Sequence, residues 1–201
     1  LNILPTGHIY PREERGIRDL LRRRMLLVQQ KTSHILSFQS LISRQTGGSI
    51  TSNDIKKLET EDVEKLLEGQ ERHVVFAGQS NIAVIGFLQE RIRLLEKMVL
   101  ASARLRTEYE KLQSIPGIGK ILALVIMYET GAIGRFKAAG NYVSYCRCVK
   151  SKHLSNGKKK GEGNRKNGNK YLSWAYVEAA NYSRRYCEEA KRYYQRKLAK
   201  G

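Results

Sequence analysis

Residues 112–131 read LQSIPGIGKILALVIMYETG, and the turn Ile115-Pro116-Gly117-Ile118-Gly119-Lys120 at their centre lies between two segments of helical character. Pro116 fixes φ and ends the incoming helix, Gly117 and Gly119 supply permissive backbone positions, and Ile118 can tuck between the helices. A helix-hairpin-helix is written this way. Its backbone N–H groups, and the start of the helix opening near Gly119, point outward to where a phosphate oxygen could sit beside Lys120. Such a unit grips a nucleic-acid backbone without reading bases. The same residues also suit an ordinary turn between packed helices. The basic sequence that follows tips the choice towards a repair or recombination protein and away from a metabolic enzyme.

That basic sequence is unevenly placed. The 201-residue chain is 41% hydrophobic, enough for one moderate core or two small ones, and has a formal net charge of +18 with a pI near 10.0. Residues 135–201 hold 18 of the 37 Lys and Arg but only 4 of the 19 Asp and Glu, a net of +14, which leaves +4 for the first 134. A polyanion site is therefore expected near the C-terminus. No apolar run approaches the ~18 to 20 residues that cross a bilayer, and the first residues do not pattern as a leader. No membrane partner and a cytoplasmic, nucleoid-associated location are expected. Three cysteines do not make a disulfide framework, which fits a reducing compartment. The only aspartates are Asp19, Asp54 and Asp62. A two-metal nuclease site needs several converging carboxylates, so this chain is expected to hold no metal of that kind by itself.

Working outward, residues 1–12 read as an extended lead-in, as if another domain preceded them. Over residues 13–45, Leu21, Val28, Ile35 and Ile42 recur every seven residues and predict a long amphipathic helix. His34 lies on the neighbouring Leu20/Leu27/Leu41 line and reads as a packed or interface residue without chemistry. Residues 46–78 read as an acidic insert of short helices, one opening at Thr51-x-x-Asp54 and another near Thr60-Glu61-Asp62. From about 79 to 113, Ile85, Leu88, Ile92, Leu95, Val99, Ser102, Arg106 and Tyr109 step by three and four, the rhythm of a coiled coil. The expected fold is mainly α: a long antiparallel coiled-coil hairpin over 13–113, serving as an oligomerisation arm, then a small helical domain over 114–201. That domain is expected to contain the helix-hairpin-helix, a short helix over 137–145, a basic loop over 150–170 and a terminal helix over 171–198. On the last of these, Leu172, Ala175, Ala179 and Tyr186 are expected inward and Trp174 as core anchor.

The loop KSKHLSNGKKKGEGNRKNGNK (150–170) carries eight Lys and Arg against one Glu. It reads as a solvated basic loop, as a phosphate-binding loop through Lys150, Lys152, Lys158, Lys159, Lys160, Arg165, Lys166 and Lys170, or as a catalytic loop. In the last case the Ser155 hydroxyl, at a tight turn among cations that stabilise alkoxide and pentavalent charge, attacks a phosphodiester. Ser-Asn-Gly is also a common turn former. Cys146, Cys148, His153 and Cys187 can be assembled into a zinc site on paper, but Cys-x-Cys is not the usual spacing and free thiols are the commoner outcome. Tyr171, beside the loop, is the least poor of the tyrosine nucleophile candidates.

Taken together, these motifs resemble a family. The chain is similar to the downstream part of the bacterial insertion-sequence 110/116/902 transposases, which join an N-terminal RuvC-like DEDD domain to a serine-bearing C-terminal domain and are guided by a bridge RNA. Leu4-Pro5-Thr6-Gly7-His8-Ile9-Tyr10-Pro11 with Arg18-Asp19-Leu20-Leu21-Arg22 resembles the family's entry into its coiled coil. Ile115-Pro116-Gly117-Ile118-Gly119 with Arg135-Phe136 resembles the start of its C-terminal domain. Ser155-Asn156-Gly157-Lys158, Asn164-Arg165-Lys166-Asn167-Gly168-Asn169 and Tyr171-Leu172-Ser173-Trp174 through Glu178-Ala179-Ala180 resemble its most characteristic block. The resemblance implies DNA transposition with Ser155 as nucleophile, a transient phosphoserine link to DNA, a guide RNA, and Mg2+ held by carboxylates of a DEDD domain. Those carboxylates are not in this sequence, which reads as a natural truncation or an engineered piece beginning after them. Tyr145-Cys146-Arg147-Cys148-Val149 departs from the Gly-Leu-x-Pro-like stretch of many members. The alternative function is a non-catalytic module that binds nucleic acid and oligomerises.

Overall fold

A computed structural model describes residues 8–102, 106–149, 152–162 and 167–200, with the side chains of 152, 153 and 159–162 outside the description. The described chain is mainly α-helical, as its periodicity requires, and divides into two compact units, Leu20–Met98 and Leu1–Asp19 with Val99–Gly201.

The Leu20–Met98 unit is built on stretches of two long helices, α1 (Arg12–Thr46) and α4 (Arg72–Ala101). Arg24 pairs with Glu96 at 2.6 Å, and His34 Nδ1 meets Asn81 Oδ1 at 3.0 Å. A Cβ on Gly78 would lie 3.4 Å from Leu41. As the α1 number rises its partner's falls, so the helices run antiparallel. Between them come α2 (Ser52–Ile55) and α3 (Thr60–Leu66). Thr51 Oγ accepts from the Asp54 N–H at 3.3 Å, and the Asp62 carboxylate accepts from the Glu59 N–H at 3.0 Å, so both acidic starts are capped. Ile35, Phe38, Leu41 and Ile42 of α1, Ile82 and Ile85 of α4, and Ile55, Val63 and Leu67 of the insert form one buried cluster.

Two boundaries differ from expectation. Helix α4 begins at Arg72 and passes through Gly78, where a Cβ would stand 2.8 Å from Val63 Cγ1. Glycine there admits α3 to the helix surface. Nor does one helix run on to residue 113: α4 ends at Ala101, Arg106 is extended (φ −106°, ψ 118°), and α5 spans Thr107–Gln113. The polar Ser102 and Arg106 interrupt the apolar stripe, leaving no continuous seam to hold a single rod.

The second unit centres on α6 (Lys120–Thr130), whose residues Leu122 to Thr130 are all buried. A short helix that is apolar nearly all round belongs inside, and α6 packs against α5 and against α8 (Lys170–Tyr186). Helix α8 contributes Leu172, Ala175 and Ala179, a stripe narrow enough for close backbone approach. Tyr10 donates its hydroxyl to the Tyr128 carbonyl and lays its ring against Gly131, tying the lead-in to this unit. The terminal helix is two helices. Cys187 is extended (φ −128°, ψ 113°), and α9 (Glu188–Leu198) starts anew on Glu188 and Glu189, which suit a helix N-terminus. Consequently Tyr186, expected inward, is 72% exposed, and Trp174 is half-buried while Leu172 and Ala175 anchor the core.

Candidate nucleic-acid interface

The segment expected as a basic loop contains an antiparallel strand pair, β1 (Lys152–Ser155) and β2 (Lys158–Glu162), following α7 (Ala139–Tyr145). Asn156 and Gly157 join them with φ of 51° and 70°. Two consecutive positive φ values are what a type I′ hairpin turn requires, and Asn-Gly is its preferred dipeptide. The register sets Ser155 opposite Lys158 and Leu154 opposite Lys159, with an irregularity between His153 and Leu154. Directly opposed residues share a face with Cβ atoms roughly 5 Å apart. Ser155 and Lys158 are both exposed, so the hydroxyl lies open at the tip beside a cation. Lys150, Arg165 and Lys166, and the side chains of Lys152, Lys159 and Lys160, lie outside the described residues. Lys170 is exposed at the first turn of α8, its ammonium 5.1 Å from the centre of the Tyr171 ring.

The ends of this hairpin are held together. The Asn169 N–H donates to the Tyr145 carbonyl at 2.7 Å, while Arg147, itself at φ 58°, donates to the Asn167 carbonyl at 2.8 Å and the Gly168 carbonyl at 3.1 Å. Gly168 has φ 79°, and a Cβ there would collide with the Tyr145 oxygen at 2.5 Å. Asn169 then joins hairpin to core. Its Oδ1 accepts from the N–H groups of Tyr171 and Leu172 at 2.9 and 3.2 Å, capping α8, and its Nδ2 donates to buried Glu129 at 2.7 Å. An Asn ahead of an amphipathic run is a cap signal in the sequence; Arg147 in the left-handed region has none.

The two glycines of the 115–119 turn have different jobs. Gly117 (φ 95°) faces α8, where a Cβ would stand 2.4 Å from the Ala179 carbonyl oxygen and 2.6 Å from the Ser183 nitrogen. Gly119 (φ −83°) meets nothing within 4 Å and precedes α6 with no side chain to cap it. Lys120 beside it is exposed and Ile118 is buried. A cleft of about 560 Å³ runs along this turn, with Tyr182 and Tyr186 of α8 on its other side.

A polar chain that the sequence did not announce links α6, α7 and α8. Tyr142 hydrogen-bonds Thr130 and Tyr176, both at 2.8 Å, and Arg135 stacks on Phe136 and Tyr145 while donating to the Thr130 carbonyl. Burial pushes the Tyr142 and Tyr176 phenols above their usual range, and the Cys146 thiol up to about 11. The fold thus keeps these protons more tightly than the unfolded chain does. The stability they confer is complete below the ordinary values of 9.0 and 10.0 and lost as pH rises through the higher folded values. The urea midpoint is expected to hold between about pH 7 and 8.5 and to fall between about 9 and 11, with Tyr142→Phe shallowing the fall.

No described group of three His, Cys, Asp or Glu side chains could hold a metal ion. Asp54 and Asp62 serve helix starts, and Asp19 lies 3.9 Å from Arg18. Cys146 is buried, Cys148 exposed and Cys187 between, all free thiols. Among the described residues, no helix is long and apolar enough to cross a membrane.

The unit that contains the hairpin, the turn and the polar chain is similar to a transposase domain. Residues 109–195, from Tyr109 in α5 into α9, match the family described as Transposase IS116/IS110/IS902 family. No curated protein matches the chain.

Proposed function

We propose that this chain is the DNA-handling part of a transposase, in which Ser155 is the nucleophile of strand cleavage and exchange. The observation that supports it is the placement of Ser155, exposed at the tip of a lysine-bearing hairpin and opposite Lys158. In the step proposed, Ser155 Oγ attacks phosphorus and forms a phosphoserine ester. The bond from phosphorus to the leaving sugar oxygen breaks, and that oxygen takes the serine proton. Lys158 offsets the developing negative charge. The lysines and arginine of residues 150–170, with Gly117, Gly119 and Lys120 of a helix-hairpin-helix, hold the phosphate backbone of DNA and of a guide RNA. Mg2+ assistance belongs to a DEDD domain outside these residues.

Self-association of the coiled-coil arm is supported by Leu36, Phe87 and Met98, which stay exposed on the long helices of the Leu20–Met98 unit. The test is Ser155→Ala in a protein that includes the DEDD domain. Strand exchange and a covalent protein–DNA adduct should both vanish, with DNA affinity within about twofold of the parent. Recombination by the variant would refute the assignment. Binding without any adduct in the parent would leave the non-catalytic module.

A further inference from the structure

The proposed role absorbs the turn on one side of the 560 Å³ cleft but gives no part to the tyrosines on the other. Tyr182 and Tyr186 are one helical turn apart on α8 and so lie on the same face of the helix. They are 43% and 72% exposed, against 1% for Tyr128 and 9% for Tyr109 in the core. The Arg185 guanidinium lies 5.4 Å from the Tyr182 ring centre, and exposed Lys120 lines the opposite wall. Residues 183–200 add Arg184, Lys191, Arg192, Arg196, Lys197 and Lys200, against only Glu188 and Glu189. Aromatic faces open to solvent in a cationic field are how proteins hold unpaired bases, because every base has a face to stack and every phosphate a charge to neutralise. The volume is in the range that takes a small organic ligand such as a nucleotide.

We infer that this cleft binds an unpaired stretch of nucleic acid, its bases stacked on Tyr182 and Tyr186 and its phosphates beside Lys120 and Arg185. The inference rests on the nucleic-acid reading above and deepens it, extending the phosphate contact of the 115–119 turn into a surface with a preference for single strands. A duplex keeps its bases stacked on each other and cannot offer them to the rings.

Affinities of the whole chain would be measured for a labelled single-stranded DNA, a single-stranded RNA of the same length, the corresponding duplex and a poly-glutamate of equal charge. The parent should bind at least one single strand more tightly than poly-glutamate, the DNA and RNA arms showing which source fits better. Tyr182→Ala/Tyr186→Ala should lose about tenfold or more in single-strand affinity and less than twofold for the duplex, while Tyr182→Phe/Tyr186→Phe, which keeps the rings, should bind like the parent. Both positions are exposed, and an unchanged circular dichroism spectrum checks the fold. Equal loss for duplex and single strand, no loss in the alanine variant, or poly-glutamate binding as tightly as the oligonucleotides would overturn the cleft assignment and leave the hairpin reading intact. Failure of the parent to bind any nucleic acid would overturn both.

Discussion

Gly117→Ala should destabilise the unit that contains α6 and α8 by about 3 kcal/mol or more, while Gly119→Ala, two residues away, should cost about 1 kcal/mol or less. At φ 95° an L-residue is strained by about 1–2 kcal/mol. To this is added a Cβ within 2.4–2.6 Å of backbone atoms of α8, which have no rotamer to escape into, a form of overpacking that typically costs about 1–3 kcal/mol. Gly119 has an ordinary φ and open space, so the added methyl has nothing to displace. In thermal unfolding followed by circular dichroism, the Gly117 variant should melt on the order of 10 °C or more below the parent. Equal melting of the two variants would mean that α6 and α8 do not meet at this turn.

Asn169→Ala is expected to cost about 3 kcal/mol. About 1 kcal/mol is the lost cap of α8, and about 1.5–3 kcal/mol the charge-assisted bond to Glu129 inside the core. Asn169→Asp separates the two. It keeps an oxygen for the cap but sets a second carboxylate where an N–H met Glu129. Two carboxylates in contact raise the affinity of the pair for a proton in the fold, so stability should be poor at pH 7 and recover as pH falls towards 5. Urea titrations at both pH values would check this, and a pH-independent deficit would remove Glu129 from the account.

Much of this architecture could be read in the sequence because it rests on periodicity. The Leu21, Ile35, Ile42 line and the Ile85, Leu88, Ile92 line give the helical pair directly, and both are buried. The turn at 115–119 sits between helices where the glycines and proline placed it. What periodicity could not show was where a helix stops for want of a partner. Residues 188–198 are helical in character, but none of them is buried, so no core stripe requires α9 to continue the line of α8. The hairpin was hidden for another reason. Its strand residues, KHLS and KKKGE, have little β character, and the glycines and asparagines around them favour a loop. The signal that decides it is Asn156-Gly157, whose two positive φ values bring the strands into register. The bond between Asn169 and Glu129 spans forty residues and leaves no local trace.

The clasp between Tyr145, Arg147 and residues 167–169 means that the chain leaves the helical scaffold and returns to it at nearly the same point. Whatever lies between those ends is an appendage whose length the helices do not sense, since lengthening a closed excursion adds only a slowly growing entropic cost. Such a clasp lets evolution lengthen, shorten or re-sequence the part that reaches outward while α6, α7 and α8 keep their packing.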